Sequence, residues 1–336
     1  MFEKIFHLKE NKTDVRTEVI AGVTTFMTMA YILAVNPSVL GSTGMDTTAV
    51  LLATALASCL GTLCMAFMAN LPFALSAGMG LNAFMAYTVV AGYGYSWQVA
   101  LLAVFIEGLI FIVLSLTNIR EAIFNAIPLT LKKGVSVGIG LFIAFIGLQN
   151  SGLCVDSATL VGIISFPENF HTAGICALLT LIGLFFTAVF YTRKMKGAIL
   201  YGILLTWILG MLCQVTGLYV PTPDAGFYSL FPSWGMTDFS RLGLTFGQCF
   251  NVDFSAVGIV NFIVVIFSFL FVDIFDTLGT LIGVATKAKM LDKDGKLPGI
   301  KPALLADSIA TSAGAILGTS TTTTFVESAS GVAVGG

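Results

Sequence analysis

Charge is what this sequence has least of. Asp, Glu, Lys and Arg make up 10% of its 336 residues, against roughly 25% in an ordinary soluble domain. With 57% hydrophobic residues and a mean hydropathy of +0.95, that scarcity excludes a water-soluble chain and leaves no basic surface for a nucleic acid. Histidine is almost absent: His7 and His171 both lie outside the apolar runs, where they are solvated. The six cysteines, Cys59, Cys64, Cys154, Cys176, Cys213 and Cys249, form no CxxC pair. Neither a disulfide frame nor a zinc site can be read from them; they are packing residues, and no metal or cofactor is expected. A signal-peptide core is missing too, since residues 1–18 mix Lys4, Lys9, Lys12 and Arg16 with four acids and read as a short cytoplasmic arm.

What is abundant is uncharged sequence long enough to cross a bilayer. A hydrocarbon core of about 30 Å needs about 20 apolar residues per helix. Such runs fall near 19–41, 47–69, 98–117, 134–150, 173–191, 197–217 and 256–285, with a shorter one near 302–318. Two more segments, about 70–94 and 319–336, are apolar but interrupted by Gly and Pro, and read as discontinuous. The ten segments specify an all-α polytopic membrane protein.

Threading them alternately gathers the basic residues of the arm, Arg120, Lys132, Lys133, Arg193, Lys194, Lys196, Lys287, Lys289, Lys293, Lys296 and Lys301 on one side. Only Arg241 of the 16 falls opposite. The positive-inside rule then puts the N-terminus in the cytoplasm of a cell (inner or plasma) membrane. The connections at about 151–172 and 218–255 face outward. The chain stops at Val334-Gly335-Gly336 inside an apolar run; because a cut span strands backbone groups in lipid, the sequence reads as truncated there.

Ionisable groups inside a span are costly and point to function. Five acids qualify: Glu107, Asp273, Asp276, Asp307 and Glu327. No Lys, Arg or His lies at comparable depth to neutralise them, which leaves protonation or a hydrogen-bond-donating ligand. Asp273 and Asp276, three residues apart, share one helix face, and paired buried carboxylates can hold a proton near neutral pH. Glu327 follows a Thr-rich, extended stretch and precedes Ser328-Ala329-Ser330-Gly331, the start of a half-helix. The same design occurs at Leu71–Phe84, where Pro72 breaks the helix, Gly78 and Gly80 permit unwound backbone, and Asn82 offers donor and acceptor. Paired broken spans point to a midplane transport site built on helix ends. The Gly-x-Gly is equally readable as close packing, and Glu107 as either a proton-handling group or a satisfied polar contact. Asp307, about one turn past Pro302, reads as an acid at a helix N-terminus. Thr24, Thr25 and Thr28 read as hydroxyls bonded back to their own helix.

On these residues the chain resembles the nucleobase–cation symporter 2 (NCS2) superfamily, in its branch of adenine, guanine and hypoxanthine permeases. Ala77-Gly78-Met79-Gly80-Leu81-Asn82-Ala83-Phe84 looks like that branch's third-span signature. The stretches 272–280 and 321–331 look like its eighth- and tenth-span signatures, and 22–31 fits its first span. The resemblance implies fourteen spans in two inverted seven-helix repeats, with short strands in spans three and ten and a core domain moving against a gate. Here 19–217 would be the first repeat, 218–255 an extracytoplasmic loop and 256–336 an incomplete second repeat ending in span ten. It implies a purine nucleobase:proton symporter without cofactor, in a superfamily whose protomers pair as homodimers. Asn82, Asp273 and Glu327 would bind the base, Gly80 would shape the backbone beside Asn82, and Phe325 would flank the ring. Asp276 would serve function without necessarily touching substrate, and Asp273 and Glu107 are further candidates for proton handling.

Three rival readings follow from the same residues. A uracil or xanthine permease would keep the fold. A channel is compatible with the composition. An intramembrane aspartyl protease would need its two acids on different helices, whereas Asp273 and Asp276 occupy adjacent turns of one.

Overall fold

Helix or half-helix occupies each of the ten segments, and the two read as discontinuous are broken where expected. The computed structural model describes residues 2–11, 13–117, 128–157, 160–193, 195, 198–223, 226–232, 235, 237–254, 257–292 and 297–336. Of the basic residues used to orient the chain, Lys12, Arg120, Lys194, Lys196, Lys293 and Lys296 lie outside the described residues. Among those described, six helices are long and apolar enough to cross a membrane: Val15–Gly41, Thr47–Ala69, Trp97–Leu116, Phe166–Thr192, Ile259–Thr286 and Ile300–Leu317. The chain forms two compact units, Met1–Ile139 with Thr237–Gly336, and Gly140–Met236.

The first unit holds every candidate site residue. Its ninth span, Ile300–Leu317, packs on the fourth, Trp97–Leu116, and on the second, Thr47–Cys64. Small residues permit this: a Cβ on Gly108 would stand 2.9 Å from the Ser312 backbone nitrogen, and one on Gly61 would stand 2.8 Å from the Ala310 Cβ. In lipid, where no hydrophobic force draws helices together, such close approach of backbones supplies the attraction. The second span starts at Asp46, whose side chain accepts from the Ala49 N–H at 2.9 Å. Arg241 bonds the other Asp46 oxygen at 2.7 Å. Arg241 thus lies beside the start of the second span.

Two expectations are corrected here. The first span, read near 19–41, starts earlier, at Val15, and within Val15–Gly41 a tight turn at Ala30 and Tyr31 separates Val15–Met29 from Ile32–Gly41. Asp307 is not at a helix start. The ninth helix begins at Ile300, because proline is tolerated in a first turn where its missing N–H has no partner to lose, and Asp307 lies two turns inside it, fully buried.

In the second unit, strands β2 (Cys154–Ser157) and β3 (Leu160–Ile163) form an antiparallel hairpin within the connection near 151–172. Helix Ile175–Thr192 packs on Ala198–Val215. There Gly183 faces Thr206 and Gly202 faces Thr187 so closely that neither position admits a side chain.

Candidate functional site

The centre of the first unit is a pair of three-residue strands with their flanking half-helices. Strand β1, Leu75–Ala77, runs antiparallel to β4, Thr322–Thr324, with Leu75 opposite Thr324 and Ala77 opposite Thr322. Gly78 N donates to Thr321 O and Phe325 N to Ala74 O, both at 2.9 Å, which extends the ladder at each end. Two short strands cannot satisfy their outer edges, and in a bilayer an unsatisfied backbone group costs several kcal/mol. Side chains fill the gap. Leu75 N donates to Thr62 Oγ1 (3.0 Å), Ala74 N to Ser328 Oγ (3.0 Å), and Thr311 Oγ1 to Thr322 O (2.9 Å). Thr319 to Thr324 are buried without exception; the hydroxyls of Thr319, Ser320, Thr321 and Thr323 bond side chains of neighbouring spans around the crossing.

A half-helix leaves each strand. Gly78, extended at φ −68° and ψ 120°, starts Met79–Ala83, and Glu327 starts Ser328–Ala333. Gly78 is glycine for a local reason: a Cβ there would lie 2.8 Å from Thr323 Cγ2 and 3.3 Å from Asp276 Oδ2. Asp276 thus faces the start of the third-span half-helix.

The expected residues separate into two groups. Glu327 is half-buried, and its Oε1 accepts from the Tyr31 phenol at 2.6 Å. Phe325, two residues before it, is buried in a cluster with Met29 and Ile32, with Ala74 and Met79 packed against it. Asn82 and Asp273 are enclosed, at 1% and 0% exposure. The Asn82 Oδ1 accepts from Ser320, while its Nδ2 has no partner among the described residues. Asp273 Oδ1 accepts from Thr277 Oγ1 at 3.0 Å; that hydroxyl also lies 3.2 Å from Asp307 Oδ2 and 2.9 Å from Thr323 Oγ1. Glu107, buried mid-span, accepts from Thr321 at 3.0 Å, which joins the fourth span to the strand crossing. The three residues expected to bind a base thus do not share one open surface: Glu327 is half-buried, and Asn82 and Asp273 are enclosed.

Sequence reasoning missed Tyr31, Asn36, Thr277 and the role of Asp307. Asn36 Nδ2 donates to Thr54 (2.7 Å) and Thr319 (2.8 Å). An amide beside Pro37 in an otherwise apolar run was the available signal. Thr28, expected to bond its own helix, does so with Thr24 O and Thr25 O, and also meets Ser330 at 2.8 Å.

Comparison with known proteins bears on this geometry. Residues 16–336 match the model of the xanthine/uracil permeases, described as "Permease family". The chain belongs to this permease family. Guanine/hypoxanthine permease PbuG of Bacillus subtilis is 46% identical over 98% of this chain and 72% of its own length. PbuO of the same organism is 44% identical over 99% and 73%, and adenine permease AdeP of Escherichia coli 41% over 100% and 71%. Membership of a permease family, with six apolar spanning helices, makes this a multi-pass membrane transporter and not an enzyme. The membrane-embedded protease is thereby set aside.

Proposed function

We propose that this permease is a purine nucleobase:proton symporter of the cell membrane, with its N-terminus in the cytoplasm. The observation that carries the reading is the start of the tenth-span half-helix, where Glu327 leaves a buried strand pair beside the Phe325 ring. A carboxylate there accepts the ring and exocyclic N–H groups of a purine while the aromatic face stacks on the base. The names of the relatives, guanine/hypoxanthine and adenine permeases, agree with that chemistry.

Asn82 and Asp273 complete the base-binding set in this reading, with Gly80 shaping the backbone beside Asn82. Their enclosure describes an occluded site: the crossing must shift relative to the eighth span before a base reaches both faces, which is the motion that alternating access requires. The unpartnered Asn82 amide is a donor waiting for an acceptor, since a buried polar group without a partner is costly. Asp276, three residues from Asp273 on the same helix, is the group that binding of a proton relieves of like-charge repulsion. Loading of proton and base together then lowers the cost of moving the charged cluster. Glu107 stands as a subsidiary proton candidate. Pairing of two copies in the membrane belongs to the same reading and is checked by crosslinking in native membranes.

Uptake of labelled adenine, guanine and hypoxanthine by cells expressing the full-length protein, with Glu327→Ala and Asp273→Ala alongside, tests the proposal. Saturable uptake by wild type, dissipated by a protonophore and absent from both variants, is expected. Normal uptake by both variants overturns the site assignment, and uptake indifferent to the protonophore overturns the coupling.

A further inference from the structure

The first span is interrupted at the level of the candidate site. After Met29 the chain tightens into a turn in which Leu33 N reaches back only to Ala30 O, at 3.1 Å. At this turn the Tyr31 phenol extends to Glu327 Oε1, a residue 296 positions away in sequence. The ring packs against the cluster of Met29, Ile32 and Phe325. One turn earlier, Thr28 Oγ1 meets Ser330 Oγ at 2.8 Å, so the broken first span and the tenth half-helix are joined at two levels.

A carboxylate offers two oxygens and about four lone-pair sites. A phenol at 2.6 Å takes one of these in a short, charge-assisted bond and fixes the rotation of the carboxyl plane. We propose that Tyr31 is a positioning residue for purine recognition, which holds Glu327 by one oxygen and leaves the other as the acceptor that reads the base. This rests on the purine reading of the site. It adds a selectivity device: hypoxanthine presents one N–H along its six-membered ring edge, guanine a ring N–H and an adjacent amine. A carboxylate held by one oxygen suits a single donor, whereas an unheld one turns to meet two donors side by side. Tyr31 therefore favours hypoxanthine relative to guanine.

The test is uptake kinetics of Tyr31→Phe in the full-length protein, with Thr28→Val as the variant that breaks the neighbouring contact to Ser330, whose hydroxyl meets the Glu327 backbone carbonyl and not its carboxylate. Tyr31→Phe is expected to raise the hypoxanthine KM by about tenfold, the scale of one lost bond to a charged group. The guanine KM should change less, so that the KM ratio of guanine to hypoxanthine falls at least about threefold, with Vmax and membrane abundance within about twofold of wild type. Thr28→Val should leave the ratio unchanged. Equal changes in both KM values, an unchanged ratio, a change of ratio in Thr28→Val as large as in Tyr31→Phe, or loss of Tyr31→Phe from the membrane each assigns Tyr31 a structural role and overturns the proposal. Failure of the wild type to take up either base sinks the purine reading instead.

Discussion

The Asn36 amide, in the second half of the first span, donates to the Thr319 hydroxyl at 2.8 Å, which ties that span to the segment leading into β4 across 283 sequence positions. The same amide holds Thr54 of the second span. One side chain thus links spans one, two and ten behind the site. Replacing Asn36 with Leu leaves two buried hydroxyls short of a donor, each worth about 1–3 kcal/mol. The expected outcome is a lower melting temperature of the detergent-solubilised protein by several degrees and a loss of membrane abundance, measured by fluorescence-detected size exclusion.

Glu327→Gln keeps the shape of the site and removes the charge-assisted acceptor. The KM for purine should rise by about 10–100-fold, the equivalent of roughly 1.5–3 kcal/mol for bonds to a charged group. Initial-rate uptake over a range of base concentrations reads this, and a KM within about twofold of wild type would exclude Glu327 from the binding edge.

Asp276→Asn should separate binding from coupling. With the carboxylate replaced by a neutral amide, exchange of labelled for unlabelled base continues, while accumulation driven by an inward proton gradient stops. Proteoliposomes loaded with base distinguish the two. In wild type, uptake should increase as external pH falls at constant internal pH, because the proton is a co-substrate on that side; in Asp276→Asn that dependence should flatten.

Gly78→Ala puts a Cβ 2.8 Å from Thr323 Cγ2, with Asp276 Oδ2 at 3.3 Å. Overpacking of a tight site costs about 1–3 kcal/mol, and here the strain falls on the strand crossing itself. Uptake should drop at least about tenfold while abundance changes little, as read by immunoblot beside transport. Gly108→Ala meets the Ser312 backbone between the fourth and ninth spans, and should lower abundance and uptake together.

Much of this arrangement was legible in the sequence because lipid is an unforgiving solvent. An acid, an amide or a run of threonines in an apolar span has to be explained, and Asn82, Asp273, Asp276 and Glu327 stood out on cost alone. The broken spans were legible from Pro72, Gly78 and the Thr-rich stretch before Phe325. What could not be read was pairing. Nothing local says that β1 pairs with β4, that Thr277 bridges Asp273 to Asp307, or that Tyr31 reaches Glu327, since each contact joins segments from 30 to about 300 residues apart that meet only after the helices pack. Asp307 differs from its expected place for another reason: a proline signals a helix start, and Pro302 sits inside the first turn instead of before it. The turn at Tyr31 left no mark, because Ala30 and Tyr31 keep right-handed backbone angles and are ordinary helix residues.

The pairing of β1 with β4 also sets an order of events in biosynthesis. The strand at Leu75–Ala77 enters the membrane about 250 residues before its partner is synthesised, an interval of roughly 10–50 s at ordinary rates of translation. During that wait the bonds to Leu75 from Thr62, already present on the second span, are the ones nascent chain can make, while the edge destined for β4 has no protein partner. The unfinished third span therefore has to wait in a sheltered place, against the insertion machinery or retained water, until the tenth arrives. An early stop in translation would release a polypeptide with an open strand edge in lipid, a ready substrate for membrane quality-control proteases.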